Sequence, residues 1–300
     1  MKLVRYADKG ASTLGVVKDD AVIDLRRRWP ALGNDMIALM EMWPSIASGL
    51  PKLVTESTPD AALASVTLLA PVSRPGKILA IGLNYADHVQ ETGQKVPPHQ
   101  IWFTKAVTAI NGPFDPIQLP MASEQVDYEA ELVVVIGKRC KHVTRDRAPE
   151  VVFGYCAGND VSVRDWQLRT SQWVLGKSFD THAPIGPWIV TPDEIGDPHA
   201  LGIRCLVNGD QRQNSNTRHL IFNVYDQIAH LSNAMTLEPG DVIFTGTPGG
   251  VGLAMQPPRW LKAGDKVRVE IDRIGAIEAV MLPRSPLKIA LIANSDGLRN

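Results

Sequence analysis

Asp127-Tyr128-Glu129-Ala130-Glu131 runs straight into Leu132-Val133-Val134-Val135-Ile136-Gly137, and the fold turns on how this stretch is read. β-Branched residues in a short run closed by glycine form a buried strand. Alternate side chains of an extended chain share a face, so Asp127, Glu129 and Glu131 project together at the strand's N-terminal end. Three carboxylates there are costly unless a cation neutralises them, and an all-oxygen donor set suits a hard divalent ion: Mg²⁺, Mn²⁺ or Ca²⁺. The competing reading is a solvated strand end whose acids pair with lysine or arginine.

Phe153-Gly154-Tyr155-Cys156-Ala157-Gly158-Asn159-Asp160 is a second strand-like run ending in an acid, and Asp160 is a candidate third oxygen ligand beside Glu129 and Glu131. Ser162 is placed to N-cap a following helix over residues 164–173, with Asp165 near a capping-box spacing. Arg164 and Gln167 then share a helical face. Gly176-Lys177-Ser178 is not a phosphate-binding loop, because residue 171, where that motif needs glycine, is serine. Lys177 is a cation on a Gly- and Pro-rich loop, an exposed surface lysine on the plainest reading. The glycine-rich segment Gly246 to Gly252 lacks the context of a dinucleotide fingerprint and reads as a carboxylate-binding turn, with Thr247 offering a hydroxyl. Upstream, Asn84 to Glu91 forms a short helix with His88 and Glu91 one turn apart, which by spacing alone is more often a surface pair than a dyad.

The Glu-x-Glu strand, Gly158-Asn159-Asp160-Val161-Ser162 with Arg164-Asp165-Trp166-Gln167, Gly176-Lys177-Ser178-Phe179-Asp180 and Thr245-Gly246-Thr247-Pro248-Gly249-Gly250-Val251-Gly252 together resemble the fumarylacetoacetate hydrolase family, in the family's order, from about Pro71 to Pro283. Asn84-Tyr85 with His88 and Glu91 belongs to the same pattern. The resemblance implies an α+β, β-rich fold: a mixed β-sheet roll with a small N-terminal α/β cap domain, built as a homodimer. It implies a Mg²⁺- or Mn²⁺-dependent hydrolase of the bacterial acylpyruvate and fumarylpyruvate branch, which serves aromatic catabolism. Such an enzyme cleaves a carbon–carbon bond in a small 2,4-dioxo acid. In that reading Glu129, Glu131 and Asp160 hold the metal and Lys177 contacts the substrate. Arg164, Gln167 and Thr247 fix carboxylate and oxyanion charge, while His88, oriented by Glu91, deprotonates the attacking water. The same grip serves oxaloacetate decarboxylases, 2-oxo acid tautomerases and isomerases, and a ureidoglycolate-type lyase. A silent metal-dependent binding protein is the non-enzyme alternative; the presence of both His88 and Lys177 favours an enzyme. One departure stands out. The eukaryotic namesakes use a further aspartate ligand upstream of the glutamate pair, and no acid here occupies a matching motif.

The rest of the chain supplies bounds. Three hundred residues predict one large domain with a smaller companion. The companion is residues 1–70, with three short strands (3–6, 13–17, 21–25), helical spacing around Met36 to Met40 and more helix across Pro51 to Val54. Residues 71–284 form the catalytic domain, and 285–300 are a tail without a family counterpart. A net charge of -1 gives no footprint for nucleic acid, and Arg26-Arg27-Arg28 reads as a solvated helix start. The N-terminus lacks a signal peptide's pattern and no apolar run approaches the roughly 18 residues of a membrane span. Cys140, Cys156 and Cys205, odd in number and widely spaced, read as reduced buried thiols, which points to a cytoplasmic protein. A helix is expected within residues 216–235, from the spacing of Ile221, Val224, Tyr225, Ile228, Leu231 and Met235.

Overall fold

The structure, a computed structural model, describes residues 1–284; the tail assigned to 285–300 lies outside the described residues. The chain opens with a meander of β1 (Lys2–Asp8), β2 (Ala11–Lys18) and β3 (Ala21–Asp24). Its first turn is made by Lys9 and Gly10, both at positive φ, the backbone a two-residue hairpin needs. Helices α1 (Met36–Ile46) and α2 (Leu50–Glu56) follow. The arginine triplet does not start a helix: it lies in a turn, where Asp60 takes Arg27 at 2.7 Å and Arg28 at 2.9 Å.

The chain after position 71 adds β4 (Ile78–Gly82), α3 (Ala86–Glu91), β5 (Ile101–Lys105), β6 (Ala130–Ile136), β7 (Val152–Asn159), α4 (Arg164–Gln167) and β8 (Ala183–Val190). Next come β9 (Gly202–Val207), β10 (Asp210–Asn216), α5 (Val224–Ala234), β11 (Val242–Phe244), β12 (Lys266–Ile271) and β13 (Gly275–Leu282). One mixed sheet runs in the order β3-β2-β1-β8-β7-β6-β11-β4-β5. β11 and β4 are parallel; their neighbours are antiparallel. Beyond β5, Ile110–Asn111 pairs in parallel with Ala183 and Pro184 of β8, so the far edge is tied back to the middle and the sheet curls into a roll. A second sheet of β10-β9-β12-β13, edged by Ile117–Gln118, packs alongside. This is the β-rich mixed-sheet roll expected from the sequence.

β6 is the strand both cores share. Leu132, Val134 and Ile136 pack with Ile203, Val267 and Ile277 of the second sheet, while Val133 and Val135 face Leu14, Leu39 and Phe244 on the other side. Burial on both faces is why the run reads as continuously apolar rather than alternating. The N-terminal meander is continuous with this arrangement: Lys2 and Leu3 of β1 pair with Val190 and Ile189 of β8, and one apolar cluster spans the position-71 boundary. α5 starts at Val224, later than residue 216, because Asn223 and Asp226 form a capping box there; Asn216 caps the short turn Thr217–His219 instead. Among the described residues, no helix is long and apolar enough to cross a membrane.

Candidate active site

The strand ends place the acids. β6 and β7 are antiparallel with Ala130 opposite Asn159, so the start of one meets the finish of the other. The amide of Asp160 donates to the carbonyl of Glu129 at 2.9 Å, extending the ladder by one step and setting these residues face to face. Glu131 lies two positions further on the same face, and its Oε2 accepts from the amide of Gly246 at 2.7 Å, just past the end of β11. Gly246 has φ +101°, and a Cβ there would lie 2.8 Å from that of Asn84, so only glycine can bring this amide in. The ligand oxygens of Glu129, Glu131 and Asp160 all lie within 4.8 Å of one another and all three residues are buried.

Asp127 is not with them. Val126–Asp127 pairs with Ser162–Val163 in a separate two-stranded ladder, outside the sheet that holds β6. Its carboxylate accepts from the amides of Tyr128, Gly252 and Leu253 and from Arg164 Nε at 2.9 Å. Arg164 in turn lies 2.7 Å from Glu129 and donates to Gln167 at 2.8 Å. Its guanidinium is thereby committed to ordering Glu129. The helix carrying Arg164 and Gln167 stops at Gln167 rather than Trp173, and Gly176 packs against it so closely that a Cβ there would come within 2.3 Å of the Gln167 amide. Nor is Ser162 its cap; Ser162 sits in the two-residue strand and donates to the Asp160 carbonyl at 2.8 Å.

Lys177 is buried, not a surface lysine. Its Nζ lies 2.6 Å from Glu129 Oε2 and 2.8 Å from Asp160 Oδ2, with the Phe103 ring 4.9 Å away. A second ammonium, Lys105 at the end of β5, reaches Asp160 Oδ1 at 2.5 Å. Sequence reading passed over Lys105; the one signal was a lysine closing a strand that should be buried. Burial works to lower the Lys177 pKa, but Asp160 and Glu129 outweigh it and the net shift is upward. For Lys105 burial prevails over Asp160 and the shift is downward. Burial also raises Glu129, yet Lys177 and Arg164 overcome this and hold it low. Glu131 has no such partner: burial, then the neighbouring Asp160 and Glu129, push it well above the carboxylate range.

A small cavity of about 90 Å³ opens onto Glu129, Glu131, Arg164, Gln167, Lys177 and Thr247, with His88 in its wall and Phe103, Trp173 and Leu253 as apolar sides. His88 Nδ1 lies 3.4 Å from Glu91 Oε2, and both Glu91 oxygens lie 2.9 Å from the Gly250 amide, so the pair is fixed to the glycine-rich loop. Thr247 lines the cavity but donates its hydroxyl proton to the Ala130 carbonyl and accepts from Gln213. A larger open groove, about 850 Å³ over Trp260 and Arg212, contains none of the predicted site residues. The donor set fits a hard divalent cation. The three acids offer only oxygens, and the Lys177 ammonium already stands as a cation between two of them.

Comparison with known proteins shows what the whole chain is similar to. A profile described as Fumarylacetoacetate (FAA) hydrolase C-terminal matches residues 77–281. Oxaloacetate tautomerase fahd2, mitochondrial, from Xenopus laevis is 45% identical over 283 residues, covering 92% of this chain and 89% of that protein. Oxaloacetate tautomerase Fahd2a, mitochondrial, from Rattus norvegicus is 46% identical over 257 residues, 85% of this chain and 82% of its own. The crystal structure of maleylpyruvate hydrolase from Sphingobium sp. SYK-6, in complex with manganese(II) ion and pyruvate, is 35% identical with a TM-score of 0.79, covering 95% of this chain and 100% of that one. The expectation of a cytoplasmic location is corrected here: the two tautomerases are mitochondrial by name, which points away from the cytosol.

Proposed function

Since the chain belongs to the fumarylacetoacetate hydrolase family, we propose that it is a divalent-metal-dependent tautomerase of oxaloacetate or a similarly compact 2-oxo acid. The observation that carries this is the buried cluster of Glu129, Glu131 and Asp160, with Glu129, Glu131 and the Lys177 ammonium that bridges Glu129 and Asp160 lining one small cavity. The two tautomerase relatives support the same reading.

Glu129, Glu131 and Asp160 would hold Mg²⁺ or Mn²⁺, which when bound supplies Lewis-acid polarisation of a 2-oxo carbonyl. Lys177 supplies the mobile positive charge: once its ammonium leaves the carboxylates, it stands beside the cavity to grip a substrate carboxylate or enolate oxygen. Arg164 keeps Glu129 oriented and Gln167 presents an amide to the acid. Phe103, Trp173 and Leu253 exclude water, which strengthens each of these contacts. His88 is the group able to move a proton between the enol oxygen and the adjacent carbon. Glu91, anchored on Gly250, holds the imidazole tautomer. A homodimer, implied by the family resemblance, is part of this reading; light scattering on the purified protein tests it.

The second reading, hydrolysis of a 2,4-dioxo acid, draws support from the likeness to maleylpyruvate hydrolase; there His88 would activate water instead. The two separate in one spectrophotometric experiment. Enol oxaloacetate and an acylpyruvate are each followed with Mn²⁺ and with chelator. Metal-dependent enol decay with negligible acylpyruvate cleavage is expected, and the reverse ranking would overturn the tautomerase assignment.

A further inference from the structure

Lys105 is used by none of the steps above, yet it is fully buried and makes two short contacts. Its Nζ lies 2.5 Å from Asp160 Oδ1 and 3.2 Å from the carbonyl of Val161. Neither Lys105 nor Asp160 lines the cavity, and both side chains are buried, so this contact is made inside the protein. Lys177 stands on the other oxygen, Oδ2, at 2.8 Å, and on Glu129 Oε2 at 2.6 Å. The two ammonium groups therefore divide the carboxylate: one oxygen is engaged inside the protein, the other on the side shared with Glu129.

We infer that Lys105 is a positioning residue for the metal ligand Asp160, fixing its side-chain rotation so that Oδ2 alone is presented to a divalent cation. The inference rests on the metal-site reading given above. An unrestrained carboxylate turns about its last bond and exchanges its two oxygens; one held at Oδ1 by a buried ammonium, itself anchored on the Val161 carbonyl, cannot. Partners of this kind, which contact a ligand rather than the metal, are typically worth about 10–100-fold in metal affinity.

A pure charge role makes the opposite prediction. Deleting a nearby positive charge removes repulsion and should tighten Mn²⁺ binding, whereas losing the positioning contact should weaken it. Free Mn²⁺ is titrated by electron paramagnetic resonance against wild type, Lys105→Met and Lys177→Met, each with its melting temperature recorded. Wild type is expected to bind, Lys105→Met to bind about 10–100-fold more weakly, and Lys177→Met, which vacates the ligand oxygens themselves, to bind at least as tightly as wild type. Turnover of Lys105→Met should recover as Mn²⁺ is raised, with KM for the acid unchanged at saturating metal. Unchanged or tighter binding by folded Lys105→Met overturns the inference, whatever its melting temperature. Should that variant fail to fold, Lys105→Gln enters the same titration, and wild-type affinity there overturns it equally. Absence of Mn²⁺ binding by wild type removes the metal-site reading, and this inference with it.

Discussion

Replacing Lys177 by methionine perturbs a balanced charge cluster, and its cost can be worked out. Three acids, Asp127, Glu129 and Asp160, face three basic side chains, Lys105, Arg164 and Lys177, while burial and the neighbouring Asp160 and Glu129 disfavour charge on Glu131. Methionine at 177 keeps most of the volume but leaves one unit of negative charge buried, against contacts that were 2.6 and 2.8 Å. Breaking a buried pair in this way costs about 3–5 kcal/mol, a melting-temperature drop of about 6–10 °C in a chain of this size. Saturating Mn²⁺ supplies the missing charge, so the gap to wild type should narrow by more than half. Turnover is expected to fall about 10²–10³-fold even with metal, because the donor aimed at developing oxyanion charge is gone. Differential scanning fluorimetry with and without Mn²⁺, beside the enol-decay assay, tests both parts. A gap that is the same with and without metal, or turnover within a fewfold of wild type, would refute the account of Lys177 as the metal-free counter-ion and substrate grip.

The remaining expectations are shorter. Burial and the neighbouring acids favour the protonated form of Glu131, so Mn²⁺ affinity is expected to rise with pH and binding to release protons in calorimetry across buffers of different ionisation enthalpy; no release would refute this. His88→Gln should lower turnover about 10²–10⁴-fold and leave Mn²⁺ titration unchanged, since the imidazole touches no ligand. His182 is buried with Nε2 on the Gln118 carbonyl, and burial depresses its pKa from 6.5 to about 3. The unfolded chain therefore takes up a proton first as pH falls. Stability from this group is complete above pH 6.5 and declines toward pH 3, by about 2 kcal/mol at pH 5. Urea midpoints at pH 7 and 5 should differ less in His182→Asn than in wild type.

How much of this was legible in the sequence depends on which interactions are local. Period-two reasoning placed Glu129 and Glu131 on one face; Asp127 left the pattern because Val126–Asp127 pairs with Ser162–Val163 instead, a partner that no neighbouring residue announces. The triad's third member followed from the end of a second apolar run. The meander and the Asn208-Gly209 hairpin, whose φ values are 55° and 86°, were readable from turn chemistry. Lys177 and Lys105 were not. Their burial depends on carboxylates 17 and 55 residues away, and a lysine's sequence neighbours say nothing of partners so distant.

Glu129 and Glu131 come from one strand, Asp160 from the finish of its neighbour, and the Gly246 amide from just beyond the next. Sliding β6 by a single residue against β7 would turn both glutamates away together, since side chains alternate with period two. If the three acids hold an ion as proposed, that ion would be bound only by chains with this strand alignment, and metal content would then report folding fidelity in a preparation.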